Sequence, residues 1–161
     1  MSRFHVIIAA VLTALSLAAC DKENGFSEDG AFRYDGVVYN SLQEAVDASL
    51  AGGAGGYITL LHDARGNGAS VVAAEDRDLL IDFAGFHYYI VDGYSLCTGA
   101  SNTVLKGNGG GLTAGGTVLT SDSGSLVIDG DLDIAGDIHT SSYTSFTEDY
   151  SGTFKGDIVL D

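Results

Sequence analysis

The clearest fold signal in this chain is Ser125-Leu126-Val127-Ile128-Asp129-Gly130-Asp131-Leu132-Asp133-Ile134 (residues 125–134). Apolar residues at every second position alternate with Val127 and three aspartates. Because successive side chains of a strand point to opposite faces, the alternation predicts a strand with an apolar inner face and a largely acidic outer face.

Similar runs recur along the chain at a nearly constant interval. Apolar or β-branched runs begin at Tyr57, Leu79, Thr103 and Ser125, so their starts are 22, 24 and 22 residues apart. The 23 glycines and the absence of proline favour many tight turns and disfavour long helices. A repeat of about 20–25 residues holding two or three short strands is typical of a solenoid, in which stacked coils share one core. We therefore predict an all-β chain folded as a parallel β-helix, with an antiparallel β-sandwich as the alternative.

The segment before the repeats has the features of a cap. Ser41 is a good helix N-cap and Glu44 completes a capping box, so a short helix is predicted over 42–50, with its apolar face at i, i+3, i+4, i+7 spacing. Before it, Asp35-Gly36 stands between the β-forming runs 32–34 and 37–39, which predicts a tight hairpin.

Three segments of this region resemble the start of right-handed parallel β-helix proteins of the pectin-lyase-like type. They are Ser41-Leu42-Gln43-Glu44-Ala45-Val46, Tyr57-Ile58-Thr59-Leu60-Leu61 and Leu79-Leu80-Ile81-Asp82-Phe83-Ala84-Gly85-Phe86. In those proteins a short helix caps the first coil, and an Ile-Asp-Leu-Asn-Gly-like turn marks an early coil; here Phe83-Ala84 stands where that turn often has Leu-Asn. The resemblance covers residues 32–92 and implies a right-handed scaffold, which hosts many unrelated functions. It gives a β-helix domain over 32–161 with an N-terminal cap over 32–56.

The amino terminus has the pattern of an export signal. Arg3 precedes an apolar run over 6–17, which ends in Leu17-Ala18-Ala19-Cys20. Such a run is typical of a secretory signal and is too short to span a membrane, which takes about 20 residues. The cysteine after Leu-Ala-Ala resembles the lipobox of bacterial lipoproteins, with an ordinary secretory signal as the alternative. The resemblance implies cleavage between Ala19 and Cys20 and a diacylglycerol on the Cys20 sulfur.

These features predict a signal peptide over 1–19, a flexible tether over 20–31 and a membrane-anchored lipoprotein of the bacterial cell envelope, periplasmic or surface-exposed. With Cys20 lipidated, Cys97 has no partner for an intramolecular disulfide. It is expected to be a buried apolar residue, or else an exposed thiol or an intermolecular bridge.

The charge limits the partners. The formal net charge is −15, and it becomes −16 when residues 1–19 are removed with Arg3. Such a surface repels nucleic acid and anionic lipid headgroups, so neither is expected as a partner.

The aspartates Asp129, Asp131 and Asp133 are the candidates for a cation site. If they project from one side of one strand, they can offer the oxygen ligands that Ca²⁺ prefers. The alternative is a solvated acidic face that discourages edge pairing. Apart from Ca²⁺, no cofactor is expected.

Aromatic residues supply the candidates for glycan contact. Tyr88, Tyr89 and Tyr94 can form a sugar-stacking patch, or they can be half-buried packing residues beside a turn. The aromatic residues Tyr143, Phe146, Tyr150 and Phe154 lie among Ser, Thr and Asp, and this part of the chain is expected to be irregular.

No set of residues has the pattern of a catalytic site. We therefore expect a non-catalytic envelope protein with a role in adhesion, glycan contact or envelope structure, whose partners are the membrane and a glycan or another envelope protein. The alternative is a polysaccharide-active lyase or hydrolase, or a truncated relative. The final residues 158–161 form a strand pattern without a polar cap, which leads us to expect that a partner covers this end or that the sequence is part of a longer one.

Overall fold

The computed structural model describes residues 26–52, 56–71, 77–141 and 143–161. The predicted signal over 1–19 and Cys20 therefore lie outside the described residues. No helix in the described ranges is long and apolar enough to cross a membrane.

Strands dominate the described chain, with one helix near its start. In chain order the elements are β1 (Phe32–Tyr34), β2 (Val37–Tyr39), α1 (Leu42–Ala51), β3 (Gly56–Leu60), β4 (Ala64–Ser70), β5 (Asp78–Asp82), β6 (His87–Cys97), β7 (Asn102–Lys106), β8 (Gly111–Ser121), β9 (Ser125–Asp129), β10 (Asp133–Thr140), β11 (Tyr143–Phe146), β12 (Phe154–Lys155) and β13 (Ile158–Leu160).

The strands form a β-solenoid of about four turns. The first sheet has the order β11-β9-β7-β5-β3-β1-β2, and the second has the order β12-β10-β8-β6-β4 with β13 also on β10. From β3 onward, each strand pairs in parallel with the equivalent strand of the next coil. The parallel β-helix is thus confirmed, and the antiparallel β-sandwich is wrong because parallel pairs are joined by whole coils rather than by hairpins.

The long strands of the second sheet consist of two runs separated by a bulge. Pairing of β6 with β8 is interrupted between Tyr89 and Leu96, and pairing of β4 with β6 shifts between Gly66 and Gly68. In the last coil the two runs are separate strands, since β12 pairs with the start of β10 and β13 with its end. The bulges lie above one another on the outer surface, which creates the candidate site described below.

The core is a stack of aliphatic side chains that repeats once per coil. Ile58 pairs with Ile81, then come Leu105 and Ile128, all fully buried and 23 or 24 residues apart. Each such side chain contributes about 1.5–3 kcal/mol through burial. The final coil is shorter, because Phe146 follows Ile128 after 18 residues.

The predicted cap is confirmed. The Ser41 hydroxyl accepts a hydrogen bond from the Glu44 amide at 3.1 Å, and α1 buries the four residues of its predicted apolar face. Asp35 and Gly36 both have positive φ, 48° and 77°, as a tight hairpin turn between β1 and β2 requires. This hairpin pairs antiparallel with β3 at one end of the first sheet.

Two sequence-based expectations for the ends of the domain are corrected. The predicted tether over 20–31 includes residues that pack on the solenoid, since Ala31 is fully buried and the Phe26 ring stacks on Tyr89. The segment expected to be irregular contains β11, and the Phe146 ring lies 4.7 Å from the Tyr150 ring and 5.9 Å from the Phe154 ring. These aromatic side chains pack against the core in the shortened final coil.

Candidate functional site

The outer surface of the second sheet carries a depression of about 550 Å³ at the bulges of β6 and β8, which we call the polar depression. Its lining residues come from β6, β8, the loop after β8, β10 and the end of the chain. They are Asp92, Gly93, Tyr94, Ser95, Gly115, Gly116, Thr117, Thr120, Asp122, His139 and Asp161.

Three glycines, Gly93, Gly115 and Gly116, line this depression. At Gly93 the backbone has φ of 86°, a conformation that favours glycine. A Cβ on Gly115 would overlap the carboxylate of Asp92, which therefore lies over this glycine, and a Cβ on Gly116 would meet nothing within 4 Å. The two strands thus leave open space on the surface that ordinary side chains would occupy.

The lining combines one exposed ring with many polar groups. The Tyr94 side chain is 52% exposed, and three hydroxyl-bearing residues, Ser95, Thr117 and Thr120, line the depression. His139 Nδ1 lies 3.6 Å from an Asp161 carboxylate oxygen. An aromatic face beside hydroxyls and carboxylates suits a ligand that has both apolar faces and hydroxyl groups.

A second depression of about 420 Å³ adjoins the first, and we call it the aromatic depression. The Tyr89 ring stacks on two others: its centroid lies 5.5 Å from that of Phe26 and 6.0 Å from that of His87. The residues lining this depression are Phe26, Arg65, Tyr89, Ile90, Asp92, Thr113, Ala114 and Gly115.

The three candidate tyrosines have different environments. The prediction for Tyr88 is wrong, because its ring is fully buried and lies edge-on to Phe32. Its hydroxyl accepts a hydrogen bond from the Gly68 amide at 2.9 Å and donates one to Glu28. Strand alternation then turns Tyr89 outward into the aromatic depression, and Tyr94 lies in the polar depression.

The three candidate aspartates do not share one strand, which corrects the geometry expected from the sequence. Asp129 ends β9, Asp131 lies in the following turn, where Gly130 has φ of 71°, and Asp133 begins β10 in the other sheet. The Lys106 ammonium lies 3.6 Å from the Asp129 carboxylate. Within the described ranges, no group of three or more His, Cys, Asp or Glu side chains is placed to hold a metal ion.

Asp133 has a structural role instead. Its carboxylate accepts hydrogen bonds from the amide and the hydroxyl of Thr153, both at 2.7 Å. These bonds lower the pKa of the Asp133 carboxyl, with the hydroxyl contributing most. The carboxylate thereby fastens the last coil to the one before it.

Sequence reasoning missed the His139, Asp122 and Asp161 side chains of the polar depression. They belong to different coils and have no shared motif. The one local signal is the glycine pair Gly115-Gly116 within a strand, since glycine inside a strand often marks a bulge or a close approach. Cys97, half-buried, forms no disulfide in the described structure.

The chain matches no protein-family model, no curated protein and no solved structure. The fold defines its class, a parallel β-solenoid with a helical cap.

Proposed function

We propose that this protein is a lipid-anchored, non-catalytic component of the bacterial cell envelope that contacts a glycan through the polar depression. The observation that supports this most is the half-exposed Tyr94 ring beside three hydroxyl side chains and the Asp92 carboxylate. A sugar ring has an apolar face that can pack on tyrosine and hydroxyls that can bond to the polar lining.

The half-buried carboxyl group of Glu28 lies away from the polar depression. Glycoside hydrolysis generally needs an acid whose pKa is raised next to the scissile bond. Burial raises the pKa of the Glu28 carboxyl, but this group lies under the Tyr88 ring hydroxyl and bonds to the Leu42 amide, away from the polar depression.

The anchor would hold the glycan site close to the membrane. Phe26 lines the aromatic depression and is only six residues beyond Cys20. A fully extended chain spans at most about 3.5 Å per residue, so the lipidated cysteine would lie within about 20 Å of this depression. The glycan is therefore one that lies near the bilayer surface.

Tyr94→Ala should weaken glycan binding about tenfold, because the variant loses the ring on which a sugar can pack. That loss corresponds to about 1.4 kcal/mol, the scale expected for a half-exposed aromatic contact. The full chain in detergent is first screened on a glycan array, with and without Ca²⁺, and the bound glycan is then titrated by calorimetry.

Tyr143→Ala is the matched control, since Tyr143 is 73% exposed but lies in β11 of the first sheet. It should bind like the unsubstituted chain. Equal losses in both variants, or no bound glycan, would contradict the proposed site. Depolymerisation of any glycan would instead favour the polysaccharide-active enzyme.

Cys20→Ala should move the protein from the membrane fraction to the soluble fraction. Several acyl chains contribute about 0.8 kcal/mol per buried methylene, so their loss removes nearly all the membrane affinity. Fractionation with mass spectrometry of the mature amino terminus measures this. Cys97→Ala is the control and should stay lipidated; a Cys20→Ala chain that stays in the membrane fraction would refute the anchor.

A further inference from the structure

We propose that the polar and aromatic depressions form one continuous site for a linear, uncharged oligosaccharide that lies along β6 and β8 across their bulges. This inference rests on the proposed function. It extends that function from contact with a sugar to recognition of an uncharged chain of sugars that lies along the strands.

The two depressions are joined at one point. Asp92 and Gly115 line both of them, and the Asp92 carboxylate lies in the space that a Cβ on Gly115 would take. Since Asp92 is exposed, its carboxylate can accept hydrogen bonds from hydroxyls on either side. The junction is thus a polar contact point with no bulky side chain on β8 to divide the site.

The aromatic residues lie on the two sides of this junction. Tyr89 precedes Asp92 by three residues on β6 and Tyr94 follows it by two. Tyr89 lines the aromatic depression and Tyr94 lines the polar depression, so the two rings offer separate packing surfaces. A ligand that uses both rings must therefore be a chain of several sugars that follows the strand direction.

The charge of the lining selects against acidic sugars. The polar depression has three carboxylates, those of Asp92, Asp122 and Asp161, and one imidazole, that of His139. The aromatic depression adds the Arg65 guanidinium, so acidic groups still outnumber basic ones along the continuous site. The whole chain has a net charge of −15. Uronic acids would bring further negative charge to this surface, and like charges at close range oppose binding.

The test measures affinity against chain length with named probes. Calorimetry on the full chain in detergent uses β-1,4-linked and α-1,4-linked glucose oligomers of one to six units, and oligogalacturonate of the same lengths. For the uncharged series that binds, affinity should rise with length and then level off once both tyrosines are engaged, while oligogalacturonate binds at least tenfold more weakly.

The variants separate the two halves of the site. Tyr89→Ala should weaken the longest oligomer about tenfold and leave the shortest binding oligomer unchanged, whereas Tyr94→Ala should weaken both. Tyr89→Phe keeps the ring and should restore full affinity. Gly115→Val, which displaces Asp92 and fills the junction, should weaken the long oligomers more than the short ones. Tyr57→Ala, 53% exposed on the first sheet, is the matched control.

Several outcomes would overturn the inference. The continuous site is wrong if affinity does not depend on oligomer length. It is also wrong if Tyr89→Ala and Gly115→Val bind every length normally while Tyr94→Ala does not. In either case the proposed glycan contact stands. Tighter binding of oligogalacturonate would overturn the selection for uncharged sugars. If neither uncharged series binds, the inference fails, and the array result then decides whether the proposed function fails with it.

Discussion

A Gly107→Ala variant should lose about 3 kcal/mol of unfolding free energy, a large part of the 5–15 kcal/mol that a domain normally has. Gly107 is buried in the turn after β7, where its coil touches the next one. An added Cβ would lie 2.6 Å from the Asp131 carbonyl carbon and closer still to the backbone nitrogen and Cα of Leu132.

The next coil cannot move away from this methyl group at low cost. Leu132 is fully buried, and its carbonyl accepts a hydrogen bond from the Tyr150 hydroxyl at 2.9 Å. Displacing this turn would therefore disturb both the core and the aromatic packing of the last coil. Overpacking of a close-packed interior generally costs 1–3 kcal/mol, and backbone against backbone leaves little room for relaxation.

Urea unfolding followed by circular dichroism measures this loss, with Gly116→Ala as the control. A Cβ on Gly116 meets nothing within 4 Å, so this variant should stay within about 0.5 kcal/mol of the unsubstituted chain or gain slightly. Both substitutions reduce the freedom of the unfolded chain equally, so the difference reports the clash between coils. Equal unfolding midpoints for the two variants would refute the close approach.

Tyr88→Phe should also cost about 3 kcal/mol, although it leaves no cavity. It removes the hydroxyl, which accepts a hydrogen bond from the Gly68 amide and donates one to the Glu28 carboxylate. An unsatisfied buried amide costs about 1–3 kcal/mol, and a hydrogen bond to a charged group is worth about 1.5–3 kcal/mol. Tyr89→Phe alters the next residue on the outer face and should stay within about 0.5 kcal/mol.

The loss in Tyr88→Phe should depend on pH with a definite sign. Burial raises the pKa of the Glu28 carboxyl, while the hydrogen bond from Tyr88 opposes this rise. A carboxyl group whose pKa is raised on folding contributes stability through its proton. That contribution is fully present below the unfolded-state pKa and is lost as the pH rises through the folded-state pKa. Removing the donor raises the folded-state pKa further, so Tyr88→Phe should cost more at pH 7 than at pH 4.

Urea titrations at the two pH values test this sign, and the Glu28→Gln background is the control. With glutamine at position 28 the loss caused by Tyr88→Phe should be the same at both pH values, since no proton binds there. A loss at pH 4 that equals or exceeds the loss at pH 7 in the unsubstituted background would contradict the assignment of the pKa shift to this pair.

The elements that depend on nearest neighbours were predictable. The cap over 42–50 needed Ser41, Glu44 and an apolar face at helical spacing, and the structure has this helix with the same four buried residues. The repeat also appeared directly, because a solenoid stacks equivalent residues and so requires similar runs at one interval along the chain. Both are short-range requirements that a sequence displays openly.

The sequence is less informative about which residues of a strand face the core and about where the turns fall. In Tyr88-Tyr89-Ile90-Val91 no charged residue marks the outer face, so alternation does not say which tyrosine faces the core; the structure buries Tyr88. In residues 125–134 the alternation continues through a turn, because Gly130 and Asp131 happen to keep the period of two. The alternation therefore predicts one strand for the three aspartates, whereas the structure has two strands in different sheets.

Local alternation, capping and repeat length therefore predict the solenoid and its cap, since each of these patterns depends on residues close in sequence. The candidate site needed the stacked coils. Asp92, Asp122, His139 and Asp161 are separated by up to 69 positions and become neighbours because coil stacking aligns the bulges of β6 and β8. Such a site is formed by distances between coils, and no pattern of neighbouring residues encodes those distances.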